Sequence, residues 1–171
     1  ILKCGPCLIS RGGTAYGLNA LHAHFVTFAN NHIMDQGRQG LLSTFNSLKK
    51  VGISFAGAGE TIADAKKPFV IEISKKRIGV YCCAEREFSI ADESTCGANP
   101  FDPLESFDEV HKLRSECDFV IILYHGGKEY YRYPSPYLQK VCRKFVDAGA
   151  NLIVCQHSHC IGCKEEYNGG T

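Results

Sequence analysis

A mixed α/β fold around a largely parallel sheet is what this sequence predicts, on three observations. Short apolar runs alternate along the chain with longer stretches of helical periodicity. One run, Phe119-Val120-Ile121-Ile122-Leu123, is unbroken by polar residues, the pattern of a central strand covered on both faces. Gly52 and Gly149 each stop a helical stretch directly ahead of another apolar run. That is the order of a strand–helix–strand unit, whose strands lie parallel with a right-handed crossover.

The first predicted strand is the run Phe25-Val26-Thr27-Phe28-Ala29, followed by the polar turn Asn30-Asn31-His32. Residues 37–51 read as a helix because Leu41, Leu42, Phe45 and Leu48 are spaced for one face, and residues 53–56 are the next strand. Residues 69–73 and 77–84 flank Ser74-Lys75-Lys76 and read as a hairpin. A loop rich in Ser, Asn, Gly and Pro follows to about residue 103, then a weaker amphipathic helix to about residue 115. The unit then repeats in kind. A strand over 118–124 leads to a Gly-, Tyr- and Pro-rich loop over 125–134 and a helix over 135–148. Ser135 is its N-cap, Pro136 its first residue, and Leu138, Val141, Cys142, Phe145 and Val146 its apolar face. A strand over 151–155 closes the pattern. With no internal repeat or linker, residues 1–171 are expected to form one domain.

Charge and composition exclude some functions. Lys and Arg number 19 against 18 Asp and Glu, so nucleic acid is not an expected partner. No apolar run approaches the roughly 18 residues of a membrane span. Residues 1–10 lack the pattern of a secretory signal, and without an initiator Met the chain is expected to be a piece of a longer protein. The 10 cysteines do not demand a disulfide framework in a chain this long. Cys82, Cys83, Cys142 and Cys155 stand where small apolar residues belong, which predicts a reduced, core-filling role and leans toward a reducing, cytoplasmic compartment. Cys4-x-x-Cys7 and Cys160-x-x-Cys163 have the spacing of zinc thiolates, but nothing in the sequence brings the two pairs together.

The histidines are placed more tellingly. His32, His125, and the pair His157 and His159 each follow a predicted strand. In a parallel sheet the carboxyl ends of strands share one edge, where ligands bind, so three loops deliver four imidazoles and Asn31 to one place. Gathering four imidazoles with no ion between them costs desolvation and, once protonated, repulsion. A metal is therefore expected among them. Alternation in an extended His157-Ser158-His159 would turn both rings the same way. His22 and His24 precede a strand and His111 sits within a helix, so these three are read as structural or solvated. Glu85 and Glu87 also follow a strand and are candidates for the site; no Asp pair does so.

Ala29-Asn30-Asn31-His32-Ile33-Met34-Asp35-Gln36-Gly37 with Gly40-Leu41 resembles the motif of the CapA-type capsule-synthesis proteins. These are linked to poly-γ-glutamate capsules and belong to the calcineurin-like metallophosphoesterase superfamily. The likeness continues through Gly57-Ala58-Gly59, His125-Gly126-Gly127-Lys128-Glu129-Tyr130 with Pro134, Asp147-Ala148-Gly149-Ala150, and His157-Ser158-His159 with Tyr167-Asn168-Gly169. The resemblance implies a metallophosphoesterase-like layered α/β sandwich, present here as a partial domain truncated at both ends. It implies two divalent ions (Mn, Zn or Fe), with Asn31, His125, His157 and His159 as ligands and His32 as the proton donor to the leaving group. The aspartates that complete such sites lie on earlier strands. Asp35, Glu129, Arg132, Glu85 and Glu87 are expected to bind substrate or to support the ligands.

On this resemblance the expected activity of the intact protein is metal-assisted hydrolysis of a phosphoester. The alternative is a non-hydrolytic role in making or exporting an anionic capsule polymer, alongside other capsule-synthesis proteins; a third is a degenerate scaffold without metal. Relatives that act at the cell surface pull against the compartment read from cysteine usage. Two departures stand out: Gln156 occupies a position usually held by Gly, which restricts the backbone before His157, and Cys160 and Cys163 are atypical of the superfamily.

Overall fold

The computed structural model describes residues 5–87 and 89–171. In chain order the elements are α1 (Thr14–Ala20), β1 (Phe25–Thr27), α2 (Gly37–Lys50), β2 (Ser54–Ala56), β3 (Ala58–Gly59), α3 (Ile62–Ala65), β4 (Phe69–Ile73), β5 (Lys76–Ala84), β6 (Gly97–Ala98), α4 (Ser106–Glu116), β7 (Phe119–His125), α5 (Pro136–Asp147) and β8 (Leu152–Gln156). The main sheet has the order β4-β5-β7-β8, with β4 antiparallel and the other pairings parallel. A parallel ladder joins β1 to β2, and β3 pairs antiparallel with β6.

Strand alternation builds the layers. Tyr81 and Cys83 of β5, with Val120, Ile122 and Tyr124 of β7, face α4 and α5, where Val110, Leu113, Leu138, Val141 and Phe145 complete a buried core. Val80, Cys82 and Ala84 point the other way, with Ile121 and Leu123, onto Ala29, Ala56 and Ala98. Beyond that layer Leu41 and Leu48 of α2 pack with Phe28 and Ile53, while Phe28, Phe45 and Phe55 stack at centroid distances of 4.7–5.5 Å. The uninterrupted apolar run is thus explained: β7 is covered on both faces. Small residues let the layers approach. At Gly57, with φ +91°, an added Cβ would lie 2.6 Å from the Cys82 Cβ and 2.9 Å from Ala29.

Most element boundaries fall within two residues of those the sequence predicts. The hairpin is tighter than expected: Ser74 and Lys75 alone make the turn, both at positive φ, and Lys76 already pairs with Ile73. The helix α1 was not expected, because Gly13 and Gly17 interrupt a short segment in which only Ala15 is buried. The two-residue strands β3 and β6 are too short for any periodicity to register. Among the described residues no helix is long and apolar enough to cross a membrane.

The cysteines divide into two groups. Cys82, Cys83, Cys96 and Cys117 are buried, and burial pushes the Cys82 thiol up to about 12, as a core-filling role requires. Cys155 departs from the expectation. It lies on β8, at the edge of the main sheet, and is exposed. Of the two Cys-x-x-Cys pairs, Cys4 lies outside the described residues. The C-terminal Thr171 accepts from the Ile153 N–H (2.8 Å) and donates to the Asn151 carbonyl (3.1 Å), lying along β8 in the parallel-ladder pattern.

Gly79 of β5 is where α4 settles on the sheet, and a Cβ there would stand 2.8–2.9 Å from three side-chain atoms of Leu113. The Gly79→Ala variant is expected to lose about 1–3 kcal/mol through overpacking, read as a lower urea midpoint at unchanged slope.

Candidate metal centre

The site begins with register. Ala84, His125 and Gln156 are direct partners across β5, β7 and β8, so the strands end level and their following loops rise together. His125 is the last residue of its strand rather than the first of the loop. The turn after β1 is shaped by Asn30, whose Oδ1 accepts the His32 N–H at 2.9 Å. Ser89 Oγ donates to the Asn31 carbonyl at 3.0 Å and ties this turn to the loop beyond β5. A third tie governs the far side. The Tyr130 N–H donates to the Ser158 carbonyl at 2.7 Å, clipping the loop after β7 to the turn after β8.

The four imidazoles do converge. The His125 and His157 ring centroids are 4.8 Å apart, and those of His157 and His159 are 6.1 Å apart. His125 Nε2 lies 3.2 Å from Asn31 Oδ1, across 94 residues of sequence. Asn31 Nδ2 donates to Glu87 Oε2 at 3.1 Å. His157 Nε2 stands 3.6 Å from Glu87 Oε1 and 3.9 Å from Glu129 Oε1, and His159 Nε2 is 3.6 Å from the same Glu129 oxygen. His32 Nδ1 meets Asp35 Oδ2 at 2.6 Å, and that oxygen also accepts the Leu8 N–H at 2.7 Å. The Asp35 side chain is 1% exposed against 31% for His32, so the dyad is anchored on its buried carboxylate.

This donor set fits a divalent ion. One ligand atom each from Glu129, His157 and His159 falls within 4.8 Å of the others. Among the described residues His125 Nδ1 is buried with no hydrogen-bond partner, an unsatisfied ring nitrogen close to this donor set. Burial, then the neighbouring His157, His32 and His159, depress the His125 pKa to about 4, so near neutrality this ring is the uncharged form that ligates metals. Asn31, His32, Glu87, Lys128, Glu129 and His157 line a cleft of about 740 Å³, a size that admits a small-molecule substrate.

Other expected residues fall elsewhere. Glu85 accepts from the Tyr124 hydroxyl at 2.9 Å and from the Gly127 N–H at 3.1 Å, so both its oxygens brace the His125-Gly126-Gly127 corner. Burial and Glu85 raise the Tyr124 pKa, keeping the phenol a donor. Arg132 is exposed and lines a separate cavity, beside Cys160 and Cys163, rather than the histidine cleft; Lys128 is the cation of that cleft. The His157-Ser158-His159 segment is not extended: His157 has φ 98° and His159 φ 54°. Gln156 lies within β8, paired with His125, so the backbone constraint expected there falls on His157 itself. Ser89 and Tyr124 carry no sequence signal, since each acts through a partner far away in the chain, and Lys128 sits with its Nζ 4.1 Å over the neighbouring Tyr131 ring.

The family model described as bacterial capsule synthesis protein PGA_cap matches residues 5–171. The chain belongs to that family. It is 32% identical over 148 residues to the PGA biosynthesis protein CapA of Bacillus subtilis, covering 82% of this chain and 38% of that protein. It is 28% identical over 151 residues to the capsule biosynthesis protein CapA of Bacillus anthracis, covering 85% of this chain and 37% of that one. The chain thus spans under two-fifths of the length of these PGA_cap relatives. Among solved structures the NAD nucleotidase of Haemophilus influenzae superposes with a TM-score of 0.62 at 17% identity, over 92% of this chain and 31% of that one. The likeness shows that this PGA_cap chain shares the α/β fold of that nucleotidase over most of its length.

The depressed His125 pKa has a thermodynamic consequence. Between the ordinary histidine pKa and about 4, the unfolded chain binds a proton at this position that the folded chain refuses. The contribution is in place above that window and is lost as pH falls through it. With a chelator present, the urea midpoint is expected to fall between pH 7 and pH 5, and more steeply for the wild type than for His125→Gln.

Proposed function

We propose that this chain carries the histidine-rich half of a metal-dependent phosphoester hydrolase. The observation that carries the reading is the meeting of Glu129, His157 and His159, with Glu129 and His157 lining one cleft with His32 of the His32–Asp35 dyad. A bound divalent ion (Mn, Zn or Fe, which suit mixed imidazole and carboxylate donors) supplies Lewis-acid polarisation of a phosphoryl oxygen and activates water. Glu129, His157 and His159 would hold it, His125 and Asn31 would be further ligands, and Glu87 would add anionic charge. Two ions are the finer form of the proposal. They draw on aspartate donors from sequence outside these 171 residues, as one partial domain of a longer relative would require.

The chain's own residues account for the proton. Asp35 receives the Nδ1 side of His32 and is itself pinned by the Leu8 N–H, which fixes the ring and its tautomer. In this reading the His32 imidazole hands a proton to the departing oxygen as the general acid. Lys128, in the same cleft, offers a charge for an anionic substrate.

A second reading is favoured by Lys128 and by Tyr130, which is 75% exposed at the mouth of the cleft. Here the metal and Lys128 grip carboxylates of an anionic polymer without cleaving it, in line with the PGA biosynthesis named for the Bacillus subtilis relative. Other capsule-synthesis proteins are the partners this reading implies.

The test uses the full-length protein with Mn2+ or Zn2+ on a generic phosphomonoester and phosphodiester. His32→Ala is expected to lower kcat roughly 10²–10⁴-fold with bound metal unchanged. Glu129→Gln and His157→Ala are expected to weaken metal binding itself, read by calorimetry. Stoichiometric metal, no turnover and retention of oligo-γ-glutamate would instead select the second reading, and absence of bound metal would remove both.

A further inference from the structure

A second cluster of reactive groups stands apart from the histidine cleft. Cys142 of α5 and Cys155 of β8 face each other with sulfur atoms 3.6 Å apart. Cys155 is exposed and Cys142 half-buried, unlike the four buried cysteines of the core. Both line a cavity of about 590 Å³, together with Cys160 and Cys163. A small oxidant entering that cavity meets four thiols on its wall.

We infer that Cys142 and Cys155 are a reversible disulfide site that clamps α5 to the edge strand leading into His157. Disulfide sulfurs sit about 2.05 Å apart, so closure needs the two to approach by about 1.5 Å, within reach of small side-chain rotations. A shared metal ion is the rival use of two close thiols. Among the described residues, however, the one cluster of three or more ligand atoms is Glu129, His157 and His159, so no third donor closes around this pair. The geometry favours covalent pairing.

The oxidant is a low-molecular-weight disulfide such as glutathione disulfide. One cysteine, as thiolate, attacks a glutathione sulfur; a mixed disulfide forms, the glutathione S–S bond breaks, and one glutathione leaves with the proton the cysteine gave up. The second cysteine then attacks the protein sulfur of the mixed disulfide. The Cys142–Cys155 bond forms and the second glutathione leaves with the second proton. Two protein thiols are oxidised and one glutathione disulfide is reduced to two thiols. Because Cys155 lies two residues before His157, the new bond ties the segment bearing His157 and His159 to α5.

The full chain is equilibrated in glutathione buffers from reducing to oxidising, quenched in acid, alkylated and digested with trypsin. Cys142 then lies in the peptide 141–143, and Cys155 in the peptide 145–164 together with Cys160 and Cys163. Mass spectrometry is expected to show the linked pair rising at least about tenfold from the reducing to the oxidising end, and vanishing on re-reduction. The Cys160→Ser/Cys163→Ser double variant is expected to keep the link, and fragmentation of the wild-type pair locates it independently of how that variant folds. Three results overturn the inference: Cys142 fully alkylated in the most oxidising buffer, a link running to Cys160 or Cys163, or one zinc per chain that is lost in Cys142→Ser.

Discussion

Everything at the cleft depends on the parallel pairing of β5, β7 and β8. A one-residue slip in either ladder would turn every side chain of a strand to the opposite face, placing Tyr124 and Ile122 where Leu123 and Ile121 now sit. The register is held because both faces are buried and differ in shape. One side receives the bulky Tyr81, Tyr124 and Phe145; the other meets alanines and Cys82 at close range. That mismatch admits a single alignment, and the alignment puts Ala84, His125 and Gln156 level at the carboxyl edge. Core packing therefore sets the level at which the three strands end, and with it the starting points of the loops that carry the site.

Polar contacts then refine it at a cost. His157 at φ 98° and His159 at φ 54° occupy backbone regions that non-glycine residues avoid, each at about 1–3 kcal/mol. His125 is held neutral among three other imidazoles. Such an arrangement persists only where its surroundings over-determine it. Asn31 against His125, Glu87 against Asn31 and His157, and the Tyr130–Ser158 backbone bond do so from three directions. A chain selected for stability alone would relax these turns. Strain and like-group crowding thus gather at one edge of an otherwise well-packed sheet.

The frame was legible in the sequence because it is written in short-range pattern. Phe119 to Leu123 announces a doubly covered strand, Ser135-Pro136 announces a helix start, and the Ser135 side chain does cap Leu138 at 3.1 Å. The convergence of His32, His125, His157 and His159 was legible too, through the rule that parallel strands open their ligand edge at the carboxyl ends. What escaped was anything set by how a loop is tied down. Glu129 joins His157 and His159 because Tyr130 is bonded to Ser158, and no periodicity encodes that bond. Arg132, three residues further along the same loop, is turned into the other cavity. The extended reading of His157-Ser158-His159 failed for the same reason, since alternation applies only while a strand lasts and β8 ends at Gln156. Cys155 looked like core because it ends an apolar run, yet it sits on an edge strand.

Two loops clipped together by the Tyr130–Ser158 backbone hydrogen bond form the wall between the two cavities. Glu129 and Tyr130 line the histidine cleft, whereas Tyr131, Arg132 and Tyr133 line the cysteine cavity, and Gly127 and Lys128 border both. The turn after β8 divides the same way, with His157 on one side and Ser158, Cys160 and Cys163 on the other. A wall this thin, one chain deep on each side of the Tyr130–Ser158 bond, cannot be displaced from one cavity without moving groups in the other. The inferred Cys142–Cys155 bond would lie on one side of this wall, and Glu129 and His157 line the cleft on the other.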